Sequence, residues 1–217
     1  FRSPGAGTLH TLVADHVVQG RVIFPGVGYL EMARAAAAAA LCGVYFLQPL
    51  AVEAANLLIE CAVSDGRFEV CSGEADAIET AQTVHCSGAT VGGNAWQPID
   101  HASQRASSFA ADVGGLYDGF DASGLQYGPG YRTLVQAWGG AYNALAQLRA
   151  RSTHEGTQVH PADLDDALCT SGVMASSGRE GETRLPFAVD DALLQGAPGE
   201  LWACLLYTSP SPRDGSE

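Results

Sequence analysis

Two runs of alternating residues meet at one dipeptide, and that junction constrains the fold more than any other feature of the chain. Leu57 to Ser64 and Arg67 to Ser72 flank Asp65-Gly66. Asp-Gly suits a two-residue hairpin loop, because both positions must take positive φ and glycine does so without steric cost. Ile59, Cys61 and Val63 alternate on one arm, and Phe68 and Val70 on the other, so one face of the pair must be covered. Thr83 to Val91 reads as a further strand. The cover lies just upstream. From Val27 to Leu41 the pattern is helical, with Tyr29, Leu30, Met32 and Ala33 on one face and an alanine run that favours helix. Pro25 stands at the helix start, where its missing N–H costs nothing, and Gly43 is the expected stop. The first half is therefore a long helix followed by antiparallel strands.

Asn94 to Ser108 is polar and turn-rich and reads as a linker, which places the division at 1–96, 97–112 and 113–203. The second half repeats the plan in another order. Leu116 to Leu125 is a short helix, Tyr127-Gly128-Pro129-Gly130 a turn, and Leu134 to Trp138 and Ala141 to Arg151 are strands. His160-Pro161 opens a helix running to about Ala175, and Leu185 to Leu194 returns to strand. No sequence repeat is visible, yet each half has one main helix against a sheet.

Composition removes several function classes. The formal charge is −13, and all eleven basic residues are arginine, so no cationic groove for nucleic acid is visible. Arg132, Arg149 and Arg151 are the candidates for a local basic patch, against the plainer reading of solvated arginines. Ala35 to Val52 carries no charge over eighteen residues, but Gly43, Gln48 and Pro49 interrupt it and it opens on six alanines. A buried helix followed by a turn fits that stretch better than a membrane span. Six cysteines without a C-x-x-C pair, in a chain large enough to build a core, read as reduced thiols of a cytoplasmic protein. No secretory signal opens the chain. Cys204 to Asp214, CLLYTSPSPRD, resembles a translated sequencing-library adapter, so 204–217 are expected to lie outside the natural fold.

Two residues could carry chemistry together. His16 follows Asp15 and precedes Gly20 and Pro25. A turn at Gly20 and a helix beginning at Pro25-Gly26 would set an imidazole beside backbone N–H groups, as proton removal next to a carbonyl requires. Asp165 lies in His160-Pro161-Ala162-Asp163-Leu164-Asp165 on the second helix. Leu164 and Leu168 mark one buried face, and an acid at its edge could be held neutral by desolvation. Asp163 and Asp166 point elsewhere, because each helical step turns about 100°. The plainer reading makes all three solvated charges. His85, His101, His154 and His160 lack ligand spacing and read as structural or surface residues, so no metal site is expected. No glycine-rich phosphate loop precedes a helix.

Taken in order, Asp15-His16 with Gly20 and Pro25-Gly26-x-Gly28-Tyr29-Leu30-Glu31, then Tyr127-Gly128-Pro129, then His160-Pro161-x-x-Leu164-Asp165, resemble the dehydratase domain of polyketide synthases and related fatty-acid synthases. Leu185-Pro186-Phe187 fits the family's late strand, and the resemblance runs from about Leu9 to Ala203. It implies an α+β fold, a double hotdog in which two sheets each wrap a helix, here cut at both ends. It implies that His16 takes the α-proton of a β-hydroxyacyl thioester while Asp165 protonates the departing hydroxyl across a tunnel. Gly20 would orient the thioester carbonyl by its backbone, Tyr127 would assist at the hydroxyl, and Pro25, Gly128, Pro129 and Cys169 would complete the substrate site. The acyl group would arrive on the phosphopantetheine of an acyl carrier protein, with no other cofactor. Neighbouring synthase domains would be partners, and the resemblance admits a homodimer. Two departures stand out: Cys169 where the family has Gln or His, and Tyr131 where Phe is usual. Cys169 shares a helix face with Asp165 but is a weak donor. Within the same fold the rivals are a product-template or isomerase domain and a non-catalytic scaffold. A hotdog thioesterase would lack the second-half motif.

Overall fold

The computed structural model describes residues 1–54, 56–74, 82–92, 100–174, 187–194 and 199–206. Along the first half run β1 (Arg2–Pro4), α1 (Thr8–Val13), β2 (His16–Val18), β3 (Arg21–Val22), α2 (Gly26–Ala37), β4 (Ala40–Phe46), β5 (Leu57–Ser64), β6 (Arg67–Glu74) and β7 (Thr83–Val91). The second half follows with α3 (His101–Ala106), β8 (Phe109–Ala111), α4 (Val113–Ala122), β9 (Leu125–Tyr127), β10 (Leu134–Gly139) and β11 (Asn143–Leu148). It ends with α5 (Pro161–Cys169), β12 (Ala188–Ala192) and β13 (Leu201–Leu206).

The hairpin forms as its turn residues require. Asp65 and Gly66 both take positive φ, 50° and 71°, which matches the twist of the flanking strands. Ile59, Cys61, Phe68 and Val70 are fully buried. Val63, the outermost of the alternating set, sits near the tip and is 40% exposed. The sheet runs β1-β5-β6-β7-β4-β12. Against it lies α2, buried at every residue from Val27 to Met32 and at Ala33. Tyr29, Leu30, Met32 and Ala33 join Leu41, Val44 and the hairpin residues in one core.

The helix is shorter than its alanines suggest. It stops at Ala38, which turns left-handed (φ 52°) and donates its N–H to the Arg34 carbonyl. Gly43 is therefore not the stop, and Leu41 belongs to β4. Burial overrides propensity here: Leu41 and Val44 fill the core from β4, which is paired on both edges by β7 and β12.

A second sheet runs β13-β11-β10-β8, and a third, small one β3-β2-β9. Two features of the second half differ from the sequence reading. The stretch taken as a linker contains α3, capped by Asp100 through Ser103, and the edge strand β8, which pairs with β10. Residues 93–99 of that stretch lie outside the described residues. The late strand is β12, and it pairs with β4 in the first sheet, so the second half closes the edge of the first. Its upstream Leu185-Pro186 also lies outside the described residues. Cys204, Leu205 and Leu206, the first residues of the adapter-like string, extend β13 along β11. Among the described residues no helix is long and apolar enough to cross a membrane.

Candidate active site

The third sheet brings the two halves of the chain together. In it β2 pairs with β9, with His16 opposite Tyr127. The contact is locked by Asp15. Its backbone carbonyl accepts the Gly128 N–H at 2.8 Å, and its side chain accepts the Gly130 N–H at 2.6 Å. A Cβ at Gly128 would overlap the Asp15 carboxyl, so the turn works only with glycine at that position. The Tyr127-Gly128-Pro129-Gly130 turn thus seats the residue next to His16.

His16 is 4% exposed. Its Nδ1 lies 2.6 Å from the Ile23 carbonyl, an oxygen that can only accept, so Nδ1 carries a proton and the lone pair of a neutral ring would fall on Nε2. Nε2 faces Asp165 Oδ1 at 3.7 Å. That separation exceeds a hydrogen bond, so neither group commits its proton to the other. Burial pushes the Asp165 carboxyl above the ordinary carboxylate range, against the opposing pull of His16 and of the Tyr127 hydroxyl. An imidazole held by Nδ1 and an acid biased toward its neutral form therefore meet, one from each half.

Around the pair sit Tyr127, Tyr131 and Cys169. The Tyr127 hydroxyl lies 3.3 Å from Cys169 Sγ, and that sulfur lies 4.0 Å from Asp165 Oδ2. Burial and Asp165 hold Cys169 as the thiol. Tyr131 stacks parallel to Tyr127, and its ring centroid is 5.3 Å from that of His16.

The other acids of α5 are not solvated. Asp163 pairs with Arg151 at 2.7 Å and is 5% exposed. Asp166 is fully buried and accepts from the Tyr117 hydroxyl and from the Thr133 N–H and hydroxyl. Arg132 and Arg149 donate to backbone carbonyls of the Tyr127–Arg132 segment, and Arg151 to that of Gly130. These arginines brace the turn. His160 caps α5 by accepting the Ala162 N–H, and burial pushes its pKa down to about 4. His85 is held between Ser72 and the Gln48 carbonyl. Among the described residues no three His, Cys, Asp or Glu side chains gather as a metal site.

The substrate-site expectations divide. His16, Asp165, Tyr127 and Cys169 converge. Gly20 is not brought to them: it lies exposed at the tip of the β2–β3 hairpin with φ 77°, and its N–H is donated to the Gln126 side chain at 2.7 Å. Pro25 is buried at the N-cap of α2, Gly128 packs on Asp15, and Pro129 is exposed and opens a short 3₁₀ turn. These three shape the scaffold. Sequence reasoning gave no role to Asp15 or to the Tyr117–Thr133–Asp166 cluster. Asp15 carried a signal in its position beside His16, whereas the cluster joins residues too far apart to be read together.

The comparisons agree with this geometry. Residues 1–73 match the family model described as polyketide synthase dehydratase domain, and residues 97–212 match polyketide synthase dehydratase N-terminal domain. Polyketide synthase PksM of Bacillus subtilis is 29% identical over 97% of this chain, which spans 6% of that protein. Polyketide synthase ThaG of Burkholderia thailandensis is 33% identical over 88% of the chain and 4% of its own length. The chain thus spans a small part of these relatives. Among solved structures, the dehydratase domain from the CurK module of curacin polyketide synthase superposes with TM-score 0.80 at 22% identity, covering 97% of this chain and 81% of that one. A trans-AT polyketide synthase dehydratase domain from Brevibacillus brevis gives TM-score 0.80 at 26% identity with the same coverage. The two sheets with their helices are the double hotdog of those domains. With its imidazole and carboxyl joined across that fold, the chain belongs to the polyketide synthase dehydratase family.

Proposed function

We propose that this chain removes water from a β-hydroxyacyl thioester to leave an α,β-enoyl thioester, as a hydro-lyase unit of a polyketide synthase. The observation that carries this reading is the 3.7 Å approach of His16 Nε2 to Asp165 Oδ1, with the proton already fixed on His16 Nδ1. Nε2 takes the α-proton, and the C–H electron pair becomes the new double bond. The β C–O bond breaks, and its oxygen leaves as water with the proton of Asp165. Returning the proton from imidazolium to carboxylate restores the pair. Burial moves the Asp165 carboxyl toward the neutral form that this step needs. Tyr127, beside Asp165, would steady the hydroxyl before it departs.

The acyl group would be presented on the phosphopantetheine of an acyl carrier protein, through an apolar channel, with neighbouring synthase domains supplying substrate and taking product. No further cofactor enters this chemistry. Two inactive mutants of the CurK dehydratase replace a histidine by phenylalanine and an aspartate by asparagine, in keeping with the pair assigned here. Cys169, the feature that favours a non-catalytic scaffold, leaves Asp165 facing His16.

The test is incubation with a β-hydroxyacyl thioester of pantetheine or carrier protein, with the product followed by mass for loss of water. The chain should form the enoyl product, and His16→Ala and Asp165→Asn should each abolish it with unchanged circular dichroism. Full activity in His16→Ala would remove the base from this account.

A further inference from the structure

Tyr131 is 2% exposed, and its hydroxyl finds no hydrogen-bond partner among the described residues. Leaving a buried hydroxyl unpaired costs about 1–3 kcal/mol, a cost that phenylalanine of nearly the same shape would avoid. Tyr29 carries the other such hydroxyl, but it stacks on Phe24 in the core of the first sheet. Tyr131 instead lies against the catalytic pair: its ring is 5.3 Å from that of His16 and parallel to that of Tyr127.

Resting on the dehydratase reading, the chemistry asks for a donor to the thioester oxygen, and no side chain described so far supplies one. As His16 removes the α-proton, charge develops on the thioester oxygen, two bonds away from that carbon. The β-hydroxyl has Asp165 and Tyr127. The carbonyl was expected to have Gly20, whose N–H is occupied by Gln126. The Gly28 N–H, at the first turn of α2, is likewise bonded to the Pro25 carbonyl. We infer that the Tyr131 hydroxyl donates a hydrogen bond to the thioester oxygen of the substrate and stabilises the enolate-like charge formed during α-proton removal. Burial and the nearby Asp165 carboxyl raise its pKa well above the ordinary phenol, so it keeps the proton it must donate. A preorganised donor at a developing oxyanion contributes about 10²–10³-fold in rate, and a phenol that supplements other dipoles should lie at or below the lower end.

The experiment is Tyr131→Phe in the whole chain, assayed for dehydration kinetics, melting temperature and the deuterium isotope effect at the α-carbon. The inference predicts kcat lowered about 10- to 100-fold with KM little changed, a melting temperature equal to or above that of the parent, and a larger α-deuterium effect. Activity within about twofold of the parent would overturn it. So would a loss of rate that tracks a loss of melting temperature, or one with an unchanged isotope effect, which would put the bond elsewhere. If the unaltered chain fails to dehydrate, the functional reading falls and this inference with it; if it dehydrates and Tyr131→Phe matches it, only the inference falls.

Discussion

At the scale of single residues, the site depends on protons kept in particular places. The Ile23 carbonyl fixes a proton on His16 Nδ1, and burial raises the pKa of Asp165 above the ordinary carboxylate range. Activity should therefore fall on the alkaline side when Asp165 ionises, at a pH above the ordinary carboxylate range. Cys169 offers a handle on that limb. Its sulfur lies 4.0 Å from Asp165 Oδ2 and donates weakly. In Cys169→Gln an amide N–H can reach the same oxygen, and a donor to the charged form lowers a carboxyl's pKa. The alkaline limb of kcat/KM should then move to lower pH, read from rates across the titration. A limb that stays in place would mean that position 169 does not address Asp165.

At the scale of elements, the assembly turns on one strand pairing and one turn. The β2–β9 pair sets His16 beside Tyr127, and Asp15 reaches across to Gly128 and Gly130. Gly128→Ala would drive a methyl group into the Asp15 carboxyl. Overpacking of this kind typically costs about 1–3 kcal/mol, and the shift of β2 should misplace His16 as well. We expect a lower melting temperature and activity reduced by more than the stability loss explains, measured below the melting transition. An alanine variant of parental stability and rate would show that the turn can move without the site. Below this junction, Asp166 ties α5 to Tyr117 and Thr133, which fixes the helix that presents Asp165 one residue earlier. Removing one partner of such a buried charged cluster is costly, because it strands the others.

At the scale of the whole molecule, two half-folds share their parts. The first sheet is completed by β12, a strand from the second half, and the His16–Asp165 pair draws one residue from each half. Much of this was legible. Asp65-Gly66 fixed its hairpin through local turn chemistry, Thr83–Val91 was bounded as read, and the ordered motifs singled out His16 and Asp165, which lie 3.7 Å apart. What could not be read depends on contacts between distant residues. Gly20 looked like a free backbone donor because nothing local shows that Gln126, 106 residues away, takes its N–H. The α2 boundary was misjudged because alanine propensity is silent about the burial of Leu41 and Val44 and about the pairing of β4 on both edges. The side to which β12 returns is likewise a fact of packing, not of its own residues.

Burial between the two halves raises the pKa of Asp165, so its protonation state tests the central claim directly. Infrared difference spectra between the unaltered chain and Asp165→Asn at neutral pH, taken with the substrate site empty, isolate that one carboxyl from the other buried acids. The account predicts the carbonyl stretch of a protonated acid, replaced by carboxylate bands as the chain is unfolded. Carboxylate bands already present in the folded chain would contradict it.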